Sequence, residues 1–123
     1  MKSLFESGNF KLHSGDETWW RINLEFLKNE SLETIAKWAY HHVVKFKAVE
    51  GVPTGGERLA KFLEPYVAPD ELIDYPLLIV DDVLTTGESM ELHRANRYAI
   101  GFVVFARGVC PNWITAMWQL KEG

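Results

Sequence analysis

The first third of the chain contains three patterned segments that predict a strand, a helix and a second strand. Apolar and polar residues alternate across residues 20–26, which is the two-residue period of a half-buried strand. Apolar residues then recur every three or four positions across residues 31–42, which predicts an amphipathic helix. A β-branched run at residues 43–49 ends at a glycine-rich segment, so it predicts the second strand.

Two uninterrupted apolar runs, at residues 77–80 and 100–105, predict strands that are buried on both faces. A helical pattern at residues 88–97 separates them, and apolar residues at 59–63 predict another helix that stops at the prolines that follow. Strands and helices therefore alternate. This order predicts the α/β class, with a parallel sheet flanked by helices in three layers, as in Rossmann-like folds.

The end of the chain predicts one more helix, at residues 112–120. Asn112 is a good N-cap residue. Apolar residues follow it at helical spacing, and they are Trp113, Ile114, Met117 and Trp118. We expect this face to pack on the sheet or on a partner.

Composition is typical of one globular domain that spans residues 1–123. The 123 residues are 47% hydrophobic and 24% charged, which excludes disordered and fibrous classes. With 13 Lys+Arg against 17 Asp+Glu, the net charge of -4 argues against nucleic acid as a partner.

The same sequence favours a cytoplasmic protein with no membrane partner. No apolar run approaches the roughly 18–20 residues of a membrane span, and the first residues lack a secretory h-region. Cys110 is the only cysteine, so an internal disulfide is impossible and a reducing compartment is expected.

The buried run at residues 77–80 is followed by residues suited to a sugar phosphate. Asp81 and Asp82 come directly after it, where ligands bind in open α/β sheets. Their carboxylates suit vicinal hydroxyls or a hydrated Mg²⁺. Residues 85–89, Thr-Thr-Gly-Glu-Ser, open the next helix, and backbone amides at a helix start attract phosphate. The simplest ligand with a diol beside a phosphate is a ribose 5-phosphate.

This stretch resembles the signature of the type I phosphoribosyltransferases that binds 5-phosphoribosyl diphosphate (PRPP). The shared order is an apolar strand, two acids, an apolar pair, Thr-Thr-Gly and then Ser. The resemblance implies that the acids hold the ribose hydroxyls and Mg²⁺, the latter through water or ligand. It assigns no general base, so the catalytic residues stay unknown, with the two acids as the candidates for involvement. It implies that the Thr-Thr-Gly loop holds the 5-phosphate. The residues it assigns to PRPP are Asp81, Asp82, Val83, Leu84, Thr85, Thr86, Gly87, Glu88 and Ser89.

A second loop looks like the diphosphate loop of the same family. It follows a predicted strand, opens a helix, and consists of Val52, Pro53, Thr54, Gly55 and Gly56. Alone it is common turn chemistry. One helix upstream of the acids and threonines, it is interpreted as the loop whose backbone amides face the diphosphate.

The N-terminal third is similar to the hood of orotate phosphoribosyltransferases, through residues 8–15 and 19–23. The likeness implies a hood-like segment at residues 1–30, an α/β core at 31–123 and a homodimer. His13, Arg21 and Arg107 are candidates for contact with the base. His13 stands where the subfamily usually has lysine, and Arg21 where it usually has an aromatic residue. The base is therefore interpreted as pyrimidine-like, without being fixed as orotate.

Residues 57–76 leave room for one helix and one connection, whereas the family places a further strand and a mobile hairpin there. That hairpin excludes water and brings basic residues to the leaving diphosphate; here the interval offers Arg58 and Lys61. Transfer of 5-phosphoribosyl to a pyrimidine-like base with release of diphosphate is one interpretation. A non-catalytic sensor of PRPP or a nucleoside 5′-monophosphate is the alternative, and an assembly protein that uses tryptophan-rich helices is a third.

Overall fold

The computed structural model describes residues 5–11, 17–22 and 28–120. Its elements, in chain order, are β1 (Phe5–Lys11), β2 (Glu17–Ile22), α1 (Asn29–His42), β3 (Ala48–Gly51), α2 (Gly55–Leu63), a 3₁₀ turn (Glu64–Tyr66), β4 (Leu77–Leu84), α3 (Glu88–Arg94), β5 (Ala99–Arg107) and β6 (Ile114–Leu120). No helix among these is long and apolar enough to cross a membrane.

Four strands form a parallel sheet in the order β3-β4-β5-β6. The two central strands, β4 and β5, are the ones predicted from uninterrupted apolar runs, because a strand with neighbours on both sides and helices on both faces meets no water. Strands β1 and β2 pair antiparallel as a separate two-stranded sheet. The α/β class with a parallel sheet is confirmed.

One face of the sheet is covered by α1 and α2. Both helices place small and branched apolar residues at three- and four-residue steps, which form a single buried stripe. We call this the first core cluster, and its buried members are Leu32, Ile35, Ala36, Ala39, Phe46, Leu59, Ala60, Leu63, Leu78, Val80, Phe102 and Val104.

The opposite face is covered by α3 and by the connection between β5 and β6. The second core cluster consists of Val52, Leu77, Ile79, Leu84, Met90, Ala99, Val103, Ala106 and Ile114, with Cys110, Trp113 and Ala116 packed against it. Helices on one side, and a helix with an extended segment on the other, complete the predicted three layers.

The connection between β5 and β6 cannot be helical, because it is too short. Gly101 pairs with Ile114 and Arg107 with Leu120, so the chain must return along about 20 Å of strand. The step from Arg107 to Ile114 spans at most about 23–25 Å when fully extended. Gly108, with φ of 87°, lies where the chain leaves β5 for this extended return.

The predicted helix at residues 112–120 is wrong, because Ile114–Leu120 is a strand paired with β5. Apolar residues at 113, 114, 117 and 118 fit one face of a helix, but they also fit two faces of a strand. Ile114 packs in the second core cluster and Met117 against the first. The edge of β5 offers backbone hydrogen-bonding groups to a neighbouring strand, and pairing with them favours strand over helix for residues 114–120. The local sequence pattern contains no information about this distant partner.

Three other boundaries differ from the prediction. The strand expected at residues 43–49 lies instead at Ala48–Gly51. Residues 43–47 form the connection before it, and the side chain of Phe46 in this connection is buried in the first core cluster. The helix expected to reach residue 97 ends at Arg94, since Ala95 and Asn96 adopt positive φ. The strand expected at residues 20–26 overlaps β2, and residues 23–27 lie outside the described residues.

The interval between Glu57 and Pro76 contains the rest of α2, the 3₁₀ turn and a connection, and no strand. All of it lies within the described residues. Consequently β3 pairs with β4 alone among the described strands and forms an edge of the sheet. The predicted absence of a hairpin in this interval is confirmed.

Candidate functional site

Asp81 and Asp82 lie within β4, close to its carboxyl end. Asp81 is 9% exposed, and Asp82 is half-buried. The amide of Asp82 donates to Oδ1 of Asp81 at 2.8 Å, and the amide of Val83 donates to Oδ1 of Asp82 at 2.7 Å. Each carboxylate is therefore held against the backbone of the residue that follows it.

The strand is irregular across these two acids. Val80 belongs to the first core cluster and Leu84 to the second, although residues four apart on a regular strand face the same side. Pairing with β3 ends where Gly51 meets Val80. The two acids thus lie in the part of β4 that no longer pairs with the edge strand β3. The loop that follows β3 can therefore approach them from that side.

Burial and mutual proximity change the acidity of the pair. The pKa of Asp81 is raised to about 8, first because burial penalises the charged carboxylate and then because Asp82 contributes a hydrogen bond and a like charge. Without a bound cation, Asp81 therefore favours its protonated form near neutral pH. Such a pair can both accept and donate hydrogen bonds to a diol.

The threonine loop, residues 85–87, joins β4 to α3. Gly87 adopts φ of 85°, a conformation that residues with a side chain rarely adopt. Oγ1 of Thr86 accepts a hydrogen bond from the amide of Glu88 at 3.3 Å. Thr86, Glu88 and Ser89 are exposed and Thr85 is half-buried, so the loop presents hydroxyl groups toward solvent beside the acids.

The glycine loop, residues 52–56, joins β3 to α2 and is fastened to the end of β4. The amide of Val52 donates to the carbonyl of Val80, and the amide of Gly56 donates back to the carbonyl of Val52, both at 2.9 Å. The peptide bond between Pro53 and Thr54 is cis. The loop therefore fills the position beside the acids that β3 leaves open.

Two glycines allow this close approach. A Cβ atom added to Gly55 would overlap the carboxylate of Asp82, and one added to Gly56 would overlap the carbonyl oxygen of Val80. The glycine loop thus touches the acid pair that the sequence predicts to bind the same ligand, although Gly55 and Asp82 are far apart along the chain.

The fold has close relatives among solved structures, although no family model and no curated protein matches the sequence. An orotate phosphoribosyltransferase from Aeropyrum pernix superposes with a TM-score of 0.67 and 27% identity, covering 94% of this chain and 88% of that one. The enzyme of the same name from Mycobacterium tuberculosis, solved with Fe(III) dicitrate, gives 0.65 and 16%, covering 94% and 88%. UMP synthase of Leishmania donovani gives 0.66 and 18%, covering 95% and 33%.

The chain has the type I phosphoribosyltransferase fold. The resemblance inferred from the acid and threonine motif is therefore confirmed at the level of the fold. The roles of individual residues remain assignments made from sequence and from the geometry above.

Of the three base-contact candidates, one lies at the same end of the parallel sheet as the acids. Arg107 is the last residue of β5 and is half-buried. Its strand pairs with β4 up to the step between Leu84 and Ala106, so Arg107 lies at the same edge of the sheet. Arg21 lies in β2 opposite Glu6, and its side chain is outside the described residues. His13 also lies outside them.

Asp81 and Asp82 fit a shared Mg²⁺ better than a dedicated metal site. The described ranges contain no group of three or more His, Cys, Asp or Glu side chains that could hold a metal ion. Mg²⁺ prefers six oxygen ligands and keeps several waters. Two neighbouring carboxylates would fit a hydrated ion whose remaining ligands would come from a bound phosphate.

A cavity of about 260 Å³ lies elsewhere, between α1 and the end of α2. Its lining residues are Glu33, Lys37, Lys61, Phe62, Pro65 and Tyr66. None of them belongs to the acids, the threonine loop or the glycine loop.

Sequence reasoning missed one group that positions the two loops. Glu50, next to the glycine loop, forms ion pairs with His93 and Arg97 near the end of α3. These contacts connect β3, which precedes the glycine loop, to the end of α3, which follows the threonine loop. Because the partners are more than forty residues apart, no local motif indicates the contact.

Proposed function

We propose that this chain binds PRPP with Mg²⁺ and transfers its 5-phosphoribosyl group to a pyrimidine-like base, with release of diphosphate. In that reaction the bond from the anomeric carbon to the diphosphate oxygen breaks, a bond from the carbon to a ring nitrogen forms, and the nitrogen loses a proton to solvent. The observation that carries the proposal is the contact between the glycine loop and Asp82. This contact supports the assignment of the glycine loop and the acid pair to one ligand site.

Each part of the site has a defined task in this proposal. Asp81 and Asp82 bind the ribose hydroxyls as hydrogen-bond acceptors. The threonine loop binds the 5-phosphate through hydroxyls and amides, since Gly87 lets the backbone approach closely. The glycine loop turns backbone amides toward the diphosphate. Arg107 lies at the same edge and contacts the base or its substituents.

Mg²⁺, when bound, neutralises charge on the departing diphosphate. Asp81 and Asp82 hold it through water and through the ligand. Binding of the ion beside the pair favours the fully ionised form, because a nearby positive charge lowers a carboxyl pKa.

The neighbouring structures support the choice of acceptor. The solved chains described above are orotate phosphoribosyltransferases and a UMP synthase. All but the 27% identical Aeropyrum enzyme fall below 25% identity, where a likeness carries the fold alone. A pyrimidine-like base is therefore proposed from the likeness to the Aeropyrum enzyme, at 27% identity, together with the matching loops.

Calorimetry with PRPP and Mg²⁺, followed by a diphosphate-release assay with a panel of pyrimidine bases, tests the proposal. We expect saturable binding to the wild-type chain and base-dependent release. Purine bases provide the comparison set. Absence of PRPP binding at millimolar concentration would contradict the proposal at its first step.

One observation favours a second candidate function, a non-catalytic sensor of PRPP or a nucleoside 5′-monophosphate. Residues 57–76 contain no hairpin to close over the ligand, so water reaches the anomeric carbon and the described chain brings few cations to the diphosphate. The sensor predicts binding of PRPP and of nucleoside monophosphates, with no diphosphate released with any base. Turnover with one base excludes it.

A further inference from the structure

The proposed function leaves open what holds the Asp82 carboxylate in place. Its Oδ1 accepts one hydrogen bond, from the amide of Val83, and its other side faces the glycine loop. The three atoms nearest to a Cβ built on Gly55 are Oδ2, Cγ and Oδ1 of Asp82, the last two at 2.5 and 2.8 Å. The space that a side chain at residue 55 would occupy is thus taken by the carboxylate.

We infer that Gly55 is a positioning residue for Asp82. Its missing side chain lets the carboxylate lie between the glycine loop and the Val83 amide, and any larger residue at this position turns the carboxylate away. The consequence of this inference rests on the proposed function. In that function, a loop assigned to diphosphate also determines the position of the carboxylate that binds the ribose. The contact itself can be tested without a ligand.

Gly55 and its neighbour Gly56 make different kinds of contact, so only Gly55 can be substituted to test the carboxylate position. A Cβ on Gly56 would meet the backbone of Val80 and Asp81, which cannot move without disturbing the sheet. A Cβ on Gly55 would meet only the end of a short side chain among its nearest atoms. Gly55→Ala is therefore compatible with the fold but not with the carboxylate position, whereas Gly56→Ala disturbs the fold itself.

The first experiment measures hydrogen exchange of the Val83 amide in the ligand-free wild type, Gly55→Ala and Asp82→Ala. We expect faster exchange in both variants, because each removes the carboxylate that this amide bonds, and thermal unfolding of Gly55→Ala within about 4 °C of wild type. Unchanged protection of Val83 in Gly55→Ala would overturn the inference, whatever the chain binds.

The second experiment measures the dissociation constant of PRPP with Mg²⁺ in wild type, Gly55→Ala, Asp82→Ala and the double variant. We expect Gly55→Ala to weaken binding by about ten- to one-hundred-fold, the range for a lost hydrogen bond to a charged group. In the Asp82→Ala background the same change should have no further effect.

The outcomes separate the inference from the proposed function. An equal additional loss in both backgrounds would show that residue 55 acts through something other than Asp82, and would overturn the positioning role. If the wild type binds no PRPP while Val83 responds as expected, the proposed function fails and the contact between Gly55 and Asp82 stands.

Discussion

Arg97 binds the carboxylate of Glu50 through both terminal nitrogens of its guanidinium group: Nη1 lies 2.9 Å from Oε2 and Nη2 lies 3.0 Å from Oε1. Nε2 of His93 lies 2.9 Å from the same Oε1. Glu50 is the next-to-last residue of β3. His93 lies in the last turn of α3, and Arg97 lies three residues beyond the end of that helix. The contact therefore fixes the position of β3, which leads into the glycine loop, relative to α3, which follows the threonine loop.

Replacing Glu50 with Gln should destabilise the chain by less than about 1 kcal/mol at pH 7, because solvent screens ion pairs at half-exposed positions. The pKa of Glu50 is lowered, first by the hydrogen bond from Arg97. A lowered pKa contributes stability above the ordinary value of 4.5, and that contribution is lost as the pH falls through the folded-state value.

Urea unfolding of wild type and Glu50→Gln at pH 7, 5 and 3 measures this dependence. The difference between them should shrink as the pH falls, because the wild-type carboxylate then takes up a proton and loses its charge. Glu71→Gln, a change at an exposed glutamate in the connection before β4, provides the control and should show little difference at any pH. A Glu50→Gln effect that is constant across pH would contradict the role of the charge.

Replacing Asp81 with Asn should give the opposite pH dependence. The folded-state pKa of Asp81 is raised from 3.8 to about 8, mainly by burial, so the folded chain keeps a proton that the unfolded chain releases. The stability of the wild type therefore falls as the pH rises from about 4 to about 8. Asn carries no charge, and its side-chain oxygen can still accept the hydrogen bond from the Asp82 amide.

We expect metal-free wild type and Asp81→Asn to be similar in stability at about pH 4, and the variant to be more stable at pH 9 by about 1–3 kcal/mol. Urea unfolding at the two values is the measurement, and Asp70→Asn, at an exposed loop position, is the control. Parallel pH profiles for wild type and Asp81→Asn would mean that burial does not hold a proton on Asp81.

Replacing Asp82 with Asn should weaken binding of PRPP with Mg²⁺ by about 1–3 kcal/mol, the scale of a charge-assisted hydrogen bond. Calorimetry measures it, and the change should leave folding intact because Asn can still accept the hydrogen bond from Val83. Asp74→Asn offers a matched control, since Asp74 is exposed and pairs only weakly with Lys47, at 3.7 Å. Equal affinity in wild type and Asp82→Asn would remove the assigned ribose contact.

Local patterns were sufficient to predict the elements whose buried positions form a regular apolar pattern in the sequence. The runs at residues 77–80 and 100–105 predicted β4 and β5, because central strands of a parallel sheet are apolar on both faces. The spacing in residues 31–42 predicted α1 for the same kind of reason. β6 was missed because its apolar residues satisfy either period, and pairing with β5, which is a distant contact, decides the matter.

The candidate site was predictable as two loops and not as one site. Each loop is a contiguous motif, so its residue types could be interpreted directly. The contact of Gly55 with Asp82 and the ion pairs of Glu50 join residues that are 27 to 47 positions apart. Such contacts follow from the register of β3 against β4, which no single segment specifies.

The strand assignment of β6 leads to a prediction about Gly101, which pairs with Ile114. A Cβ at Gly101 would lie 2.9 Å from Cγ1 of Ile114, 3.0 Å from Cε of Met90 and 3.1 Å from a ring carbon of Trp113. Gly101→Ala should therefore destabilise the chain by about 1–3 kcal/mol through overpacking, and Ile114→Ala should cost about 2–4 kcal/mol through a cavity. In urea unfolding the double variant should lose less than the sum, by about 0.5–1.5 kcal/mol, because the shortened side chain makes room for the new methyl group. Strict additivity would mean that residues 101 and 114 are not neighbours, and would count against β6 as a strand in this register.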